Sequence, residues 1–166
     1  LGLLYRLDGD KRFAERAKQE LFAAAAFQDW NPSHFLDVAE MTHALGIGYD
    51  WLFDVLSAEE RATMRTAIIE KGLKPSFVDT LPNGARGYNW WLTVTHNWNQ
   101  VCNGGLTVGA LAIADEEPEL VVLVFLENGG QGSYNAAPLA RQVLETYYDL
   151  PLTLPPAAPP PPPPDR

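Results

Sequence analysis

The sequence predicts an all-α fold of paired helices, an (α/α) toroid-type arrangement present as an incomplete fragment. Three observations lead there. Apolar residues recur in steps of three and four through most of the chain before the glycine-rich stretch at 129–132. Short acidic turns return about every 50 residues, a period of stacked helical hairpins that suits a toroid or a solenoid. They are Leu7-Asp8-Gly9-Asp10-Lys11, Leu56-Ser57-Ala58-Glu59-Glu60 and Ile113-Ala114-Asp115-Glu116-Glu117. No run before the tail alternates apolar and polar residues as a half-buried strand does. The chain also opens on Leu1-Gly2-Leu3-Leu4-Tyr5, without Met and in mid-pattern, the mark of a cut helix.

The elements follow in order. Asp10 caps a helix over 11–27, whose Phe13, Ala17, Leu21 and Ala24 share a face. Asn31-Pro32-Ser33 opens a longer helix to Leu56 with two apolar stripes, one through Phe35, Val38, Thr42, Leu45, Tyr49, Leu52 and Leu56, the other through Met41, Ala44, Gly48 and Trp51. Such a helix is packed on both sides. Ser57-Ala58-Glu59-Glu60 is a capping box that starts a helix ending near Gly72. Residues 75–95 read as loop, with Pro82-Asn83-Gly84 as its turn. Helices are expected over 99–114, 118–126 and 136–148. Residues 1–150 thus form the toroid-type domain and 151–166 a disordered tail, since six consecutive prolines favour extended polyproline II.

Composition narrows the function. A net charge of −9 leaves no basic stripe for phosphates, which argues against nucleic acid. No apolar run reaches the roughly 20 residues that span a bilayer. A lone cysteine and three scattered histidines give neither a disulfide framework nor a metal-ligand spacing, so no metal and no cofactor is expected.

Chemistry concentrates in Thr95-His96-Asn97-Trp98-Asn99-Gln100-Val101-Cys102-Asn103-Gly104-Gly105. One cap needs one side chain, whereas His96, Asn97, Asn99, Gln100 and Asn103 are crowded at a single helix start. Such a carboxamide–imidazole patch suits a carboxylate; neutralising it acidifies the neighbouring C–H, as β-elimination requires. A second cluster is Trp30-Asn31-Pro32-Ser33-His34, at a loop-to-helix junction. Indoles stack on the apolar faces of sugar rings, so Trp30, Trp90, Trp91 and Trp98 are candidate contacts, while Trp51, on a helical stripe, belongs to the core. His43, mid-helix, reads as structural, and Tyr88 and Tyr134 lie in glycine-bearing loops from which a phenol reaches a pocket. Asp37, Glu40, Asp50 and Asp54 read as solvated faces or as partners of Arg61 and Arg65.

With these residues in view, the chain resembles the helical domain of the heparinase II/III-like polysaccharide lyases, alginate lyases included. The resemblance is carried by Tyr5-Arg6-Leu7 through Phe13-Ala14, Asp29-Trp30-Asn31-Pro32-Ser33-His34-Phe35-Leu36-Asp37, Gly48-Tyr49-Asp50-Trp51-Leu52, Asn97-Trp98-Asn99-Gln100-Val101-Cys102-Asn103 and Ala112-Ile113-Ala114-Asp115, within about residues 1–120. It implies a toroid followed by a β-sandwich domain of the same protein, an acidic polysaccharide as partner, β-eliminative cleavage and a periplasmic or secreted location. It further implies that Asn99 and Asn97, with His96 beside them, neutralise the uronate carboxylate. Trp30, Asn31, His34, Tyr88, Trp91, Trp98 and Asn103 would then bind substrate. After Leu120 the sequence departs from the family, and Tyr134 in Gly132-Ser133-Tyr134-Asn135 is a loose stand-in for the catalytic tyrosine. Little or no lyase activity is expected from these residues alone. Two rival readings use the same fold: a glycoside hydrolase with two carboxylates, and a non-catalytic helical carbohydrate-binding or scaffold module.

Overall fold

The structure, a computed structural model, describes residues 1–118. Among these residues the protein is all-α: five α-helices joined by tight turns, with no strand beyond an isolated bridge between Thr80 and Arg86. Helix α1 (Gly2–Asp8) stops at Gly9, whose φ of 70° is left-handed and whose N–H donates to the Tyr5 carbonyl. Asp10 then caps α2 (Lys11–Ala25) by accepting the Arg12 N–H at 2.9 Å. Helix α3 (Phe35–Leu52) runs into a 3-10 turn, Phe53–Val55. Helix α4 (Ala58–Ala67) opens on the expected capping box, with Glu60 N–H donating to Ser57 Oγ at 3.1 Å and Ser57 N–H to Glu60 Oε2 at 2.8 Å. Helix α5 (Asn97–Ala112) closes the described chain.

Several boundaries differ from the sequence reading, among them the ends of α2 at Ala25 and of α3 at Leu52, and three have a clear local reason. Helix α3 starts at Phe35 rather than at Asn31, because Asn31 precedes a proline and takes a left-handed φ of 54°. Residues 31–34 form a separate turn closed by His34 N–H on the Asn31 carbonyl at 2.9 Å. Helix α4 ends at Ala67 and continues as a π turn, Ile68–Leu73, then a 3-10 turn, Lys74–Phe77. Helix α5 begins at Asn97 because the His96 ring accepts the Trp98 N–H, making the histidine the cap. The helix expected over 118–126 (beyond Pro118 itself), that over 136–148, Tyr134 and the proline-rich tail at 151–166 lie outside the described residues.

Helix α3 is the inner element, as its two stripes predict. It packs against α1, α2, α4, the π turn and α5. Phe35, Val38, Leu45, Tyr49 and Leu52 on α3 are fully buried, together with Met64, Ile68, Trp91, Cys102 and Ile113. Burying side chains of this kind contributes about 1.5–3 kcal/mol each. The α3–α5 approach is close enough to exclude side chains: a Cβ on Gly105 would lie 2.3 Å from the Ala39 carbonyl oxygen.

Two of the three acidic turns are latches between helices, while among the described residues Asp10 in the first meets only Arg12, two residues on. Glu60 Oε1 meets Lys18 Nζ at 2.7 Å, joining α4 to α2. Glu116 accepts the Tyr49 hydroxyl at 2.6 Å and stands 3.6 Å from Arg65, while Glu117 lies 3.4 Å from the same guanidinium. Lys71 donates to the carbonyls of Ala25 and Phe27, satisfying the free end of α2. No helix among the described residues is long and apolar enough to cross a membrane.

Candidate functional site: an aromatic face at the starts of α3 and α5

The site is assembled by a loop that folds back on itself. Between Val78 and Trp90, Leu81 N–H bonds the Ala85 carbonyl at 2.9 Å and Gly84, with φ 80°, completes the turn the sequence announces. Gly87 lies where a Cβ would meet the Val78 carbonyl oxygen at 1.9 Å, so only glycine lets the two arms cross. This fold-back brings Arg86 over Trp90. Its Nη2 donates to the Trp90 carbonyl at 3.1 Å and its guanidinium stands 5.2 Å from the indole centroid.

A 3-10 turn, Trp90–Thr93, then sends two consecutive indoles in different directions. Trp91 is fully buried with its ring 4.9 Å from that of Phe35, and among the described residues its Nε1 meets no acceptor. Trp90 stays half-buried and packs on Trp98 at 4.7 Å. Around Trp98 the face is completed by His34, edge-on at 4.9 Å, and by His96 at 6.4 Å.

His34 is held from below. Its Nδ1 lies 3.1 Å from Asp37 Oδ1, and the other carboxylate oxygen accepts Asn31 Nδ2 at 2.8 Å. Asn31 is itself fixed, its Oδ1 accepting the Ser33 hydroxyl at 2.7 Å. The Asn31 amide, and after it His34, hold the Asp37 carboxyl below the ordinary carboxylate range, so it stays ionised.

Two carboxamides of 95–105, Asn99 and Asn103, are engaged with the main chain and with each other. Asn99 Nδ2 donates to the carbonyls of Leu92 at 2.8 Å and Trp91 at 3.3 Å, and its Oδ1 accepts from Asn103 at 3.3 Å. Asn103 also bonds the Asn99 carbonyl at 2.7 Å. Both amide hydrogens of Asn99 therefore brace the 3-10 turn against α5, and none is left for a carboxylate. Asn97 is exposed in the first turn of α5, beside His96. Trp30 is buried in the core, with Nε1 donating to the Ala24 carbonyl at 3.0 Å, and Tyr88 packs half-buried against that core.

Of the expected contacts, then, the structure gathers His34, Trp98 and His96 at one place, with Asn31 tied to them through Asp37. Trp30, Trp91, Asn99 and Asn103 instead hold the scaffold. Two members escape sequence reasoning. Arg86 sits in a turn-rich loop, and only its spacing of four from Trp90 hints at contact. Asp37 pairs with His34 and Asn31 rather than with Arg61 or Arg65. Arg61 instead bonds the Phe53 and Leu56 carbonyls, and Arg65 meets Glu116 and Glu117. The i, i+3 step from His34 to Asp37 was the available signal.

A groove of about 500 Å³ bordered by Ala25, Thr63, Thr66 and Lys71, and a smaller one beside Phe77 and Leu106, are each lined by other residues. Among the described residues no cluster of three His, Cys, Asp or Glu side chains is placed to hold a metal.

No family model matches the chain. A curated protein, the peptidoglycan D,D-transpeptidase MrdA of Haemophilus influenzae (strain ATCC 51907 / DSM 11121 / KW20 / Rd), is 62% identical over 32 residues. That match covers 19% of this chain, which thus spans 5% of the relative's length. The resemblance to heparinase II/III-like polysaccharide lyases is corrected by these findings: the matching protein is of another kind, and no family model supports the lyase family. The structure supplies a physical reason why the motifs misled. Trp30 fills the core, and Asn99 and Asn103 serve main-chain hydrogen bonding, so local architecture alone accounts for much of their pattern. A match of 32 residues is shorter than a domain and transfers no activity.

Proposed function

We propose that this helical unit, one set of hairpins in an α/α toroid-type protein, is a carbohydrate-binding module that takes an acidic polysaccharide along the Trp90–Trp98 face. The observation that carries the reading is the contiguity of two half-buried indoles with His34, His96 and Arg86. Indole faces stack on sugar C–H groups, and Arg86 supplies positive charge on a chain whose net charge is −9. If the module serves a β-eliminating enzyme, the uronate carboxylate falls to Arg86, His96 and Asn97, since Asn99 is engaged.

The test is affinity electrophoresis of the 166-residue chain in gels containing alginate, heparin or hyaluronan, with neutral dextran as control. Retardation is expected in at least one acidic gel and not in dextran, and Trp98→Ala is expected to weaken it about tenfold. Equal migration of the wild type in every gel defeats the reading. Following the absorbance of unsaturated products in the same mixtures should show no appreciable turnover by this chain alone.

A further inference from the structure

The hydrogen bonds beneath Trp98 form a directed chain. Ser33 donates to Asn31, Asn31 donates to Asp37, and the ionised Asp37 can only accept from the imidazole of His34. The proton on that ring must then sit on Nδ1, which leaves Nε2 with a lone pair. His34 is about half exposed, at 53% of its side-chain surface, and stands on edge against Trp98. From these contacts we infer that Asp37 is a positioning residue: it fixes His34 in the Nδ1–H tautomer so that Nε2 accepts a hydroxyl of a sugar lying on Trp98. The inference rests on the carbohydrate-binding reading of this face and adds the polar contact that orients the ring.

Among the described residues the other charged or titratable groups at the face are His96, across Trp98, and Arg86, over Trp90. Among the described residues neither bonds the His34 ring, and Asp37 is the group that meets its Nδ1. A hydroxyl donating to Nε2 gives direction to what stacking alone leaves free to slide. A sugar lacking a hydroxyl at that position would stack and yet bind less tightly.

The experiment uses the full chain labelled with ¹⁵N-histidine, at a pH where the ring is neutral. Long-range ¹H–¹⁵N spectra are expected to show His34 as the Nδ1–H tautomer. In Asp37→Asn the introduced amide can donate to Nδ1, so the ring is expected to switch to Nε2–H without loss of helical circular dichroism. Titration with an oligouronate is expected to move the His34 Nε2 resonance in the wild type. The Asp37→Asn variant is expected to bind about five- to tenfold more weakly, the size of one hydrogen bond. An Nε2–H ring in the wild type, or a variant that binds as tightly, overturns the role of Asp37 while leaving the aromatic face standing. An oligouronate that fails to bind the wild type at all overturns the face itself, and the hydroxyl contact with it.

Discussion

Trp90 and Trp91 are neighbours in sequence and opposites in the molecule. In a 3-10 turn successive side chains diverge by roughly 120°, and the turn Trp90–Thr93 uses that to point one indole inward and leave one at the surface. Trp91 is sealed against Phe35 in the core. Trp90 lies under Arg86 and beside Trp98. Composition treats the two as equal, yet one is sealed in the core and the other stays at the surface. Which does which is set by backbone anchors: Asn99 grips the carbonyls of Trp91 and Leu92, and Arg86 takes that of Trp90.

The contrast breaks most directly by truncation. Trp91→Ala is expected to cost about 3–5 kcal/mol in urea unfolding, the usual figure for a large core aromatic. Trp90→Ala should cost about 1 kcal/mol or less and act on polysaccharide affinity instead. Trp91→Phe sharpens the point, because it keeps most of the buried ring and removes an N–H that has no acceptor among the described residues. It should restore most of the stability lost in the alanine variant. Equal losses from the two alanine variants would erase the division between core and face.

A smaller effect separates brace from ligand contact within α5. Asn99→Ala removes both donors to the 3-10 turn and is expected to cost about 1–3 kcal/mol, leaving carbonyls less well satisfied. Asn97→Ala, exposed on the first turn, should leave the urea midpoint unchanged and weaken polysaccharide binding. The opposite pattern, with Asn99→Ala fully stable and unable to bind, would return Asn99 to the ligand.

The sequence made the scaffold readable where one local rule decided the outcome. The capping box at Ser57 and Glu60, the cap at Asp10, the turn at Gly84 and the two-sided burial of α3 all follow from spacing. The site was legible only in part. His34 and Trp98 were singled out in two separate clusters, and their meeting at 4.9 Å could not be read from spacing. Asn99 could not be told from Asn97, because its partners are main-chain carbonyls at 91 and 92, and residue type says nothing of where those point. Trp30 and Trp91 failed for a related reason: an indole suits a core and a sugar equally well. Arg86 was missed because its position depends on Gly87 letting two arms of a loop cross.

The finest test of the same contrast is titration, since core and face respond to opposite extremes of pH. Burial, aided by Glu116, pushes the Tyr49 phenol from an ordinary 10.0 up to about 12. Burial alone pushes the Cys102 thiol from 9.0 to about 11. Both groups favour their neutral forms when folded. Their stabilisation is therefore complete below the ordinary values and is lost as pH climbs through the folded ones, across the window from 9.0 to about 12. Asp37 runs the other way. Its carboxyl is lowered from 3.8, so its contribution is present above that value and lost as pH falls through the lowered one. About half of its side chain is exposed, so solvent screens the gain and the acid limb should be slight beside the alkaline one. Urea midpoints measured across pH should thus fall steeply on the alkaline side, and Asp37→Asn should flatten the acid limb and lower the rest of the curve slightly and uniformly, without changing the slope of the alkaline limb. An alkaline limb whose slope changes with Asp37→Asn would mean that face and core are coupled, and the separation drawn between Trp90 and Trp91 would fail at its weakest point.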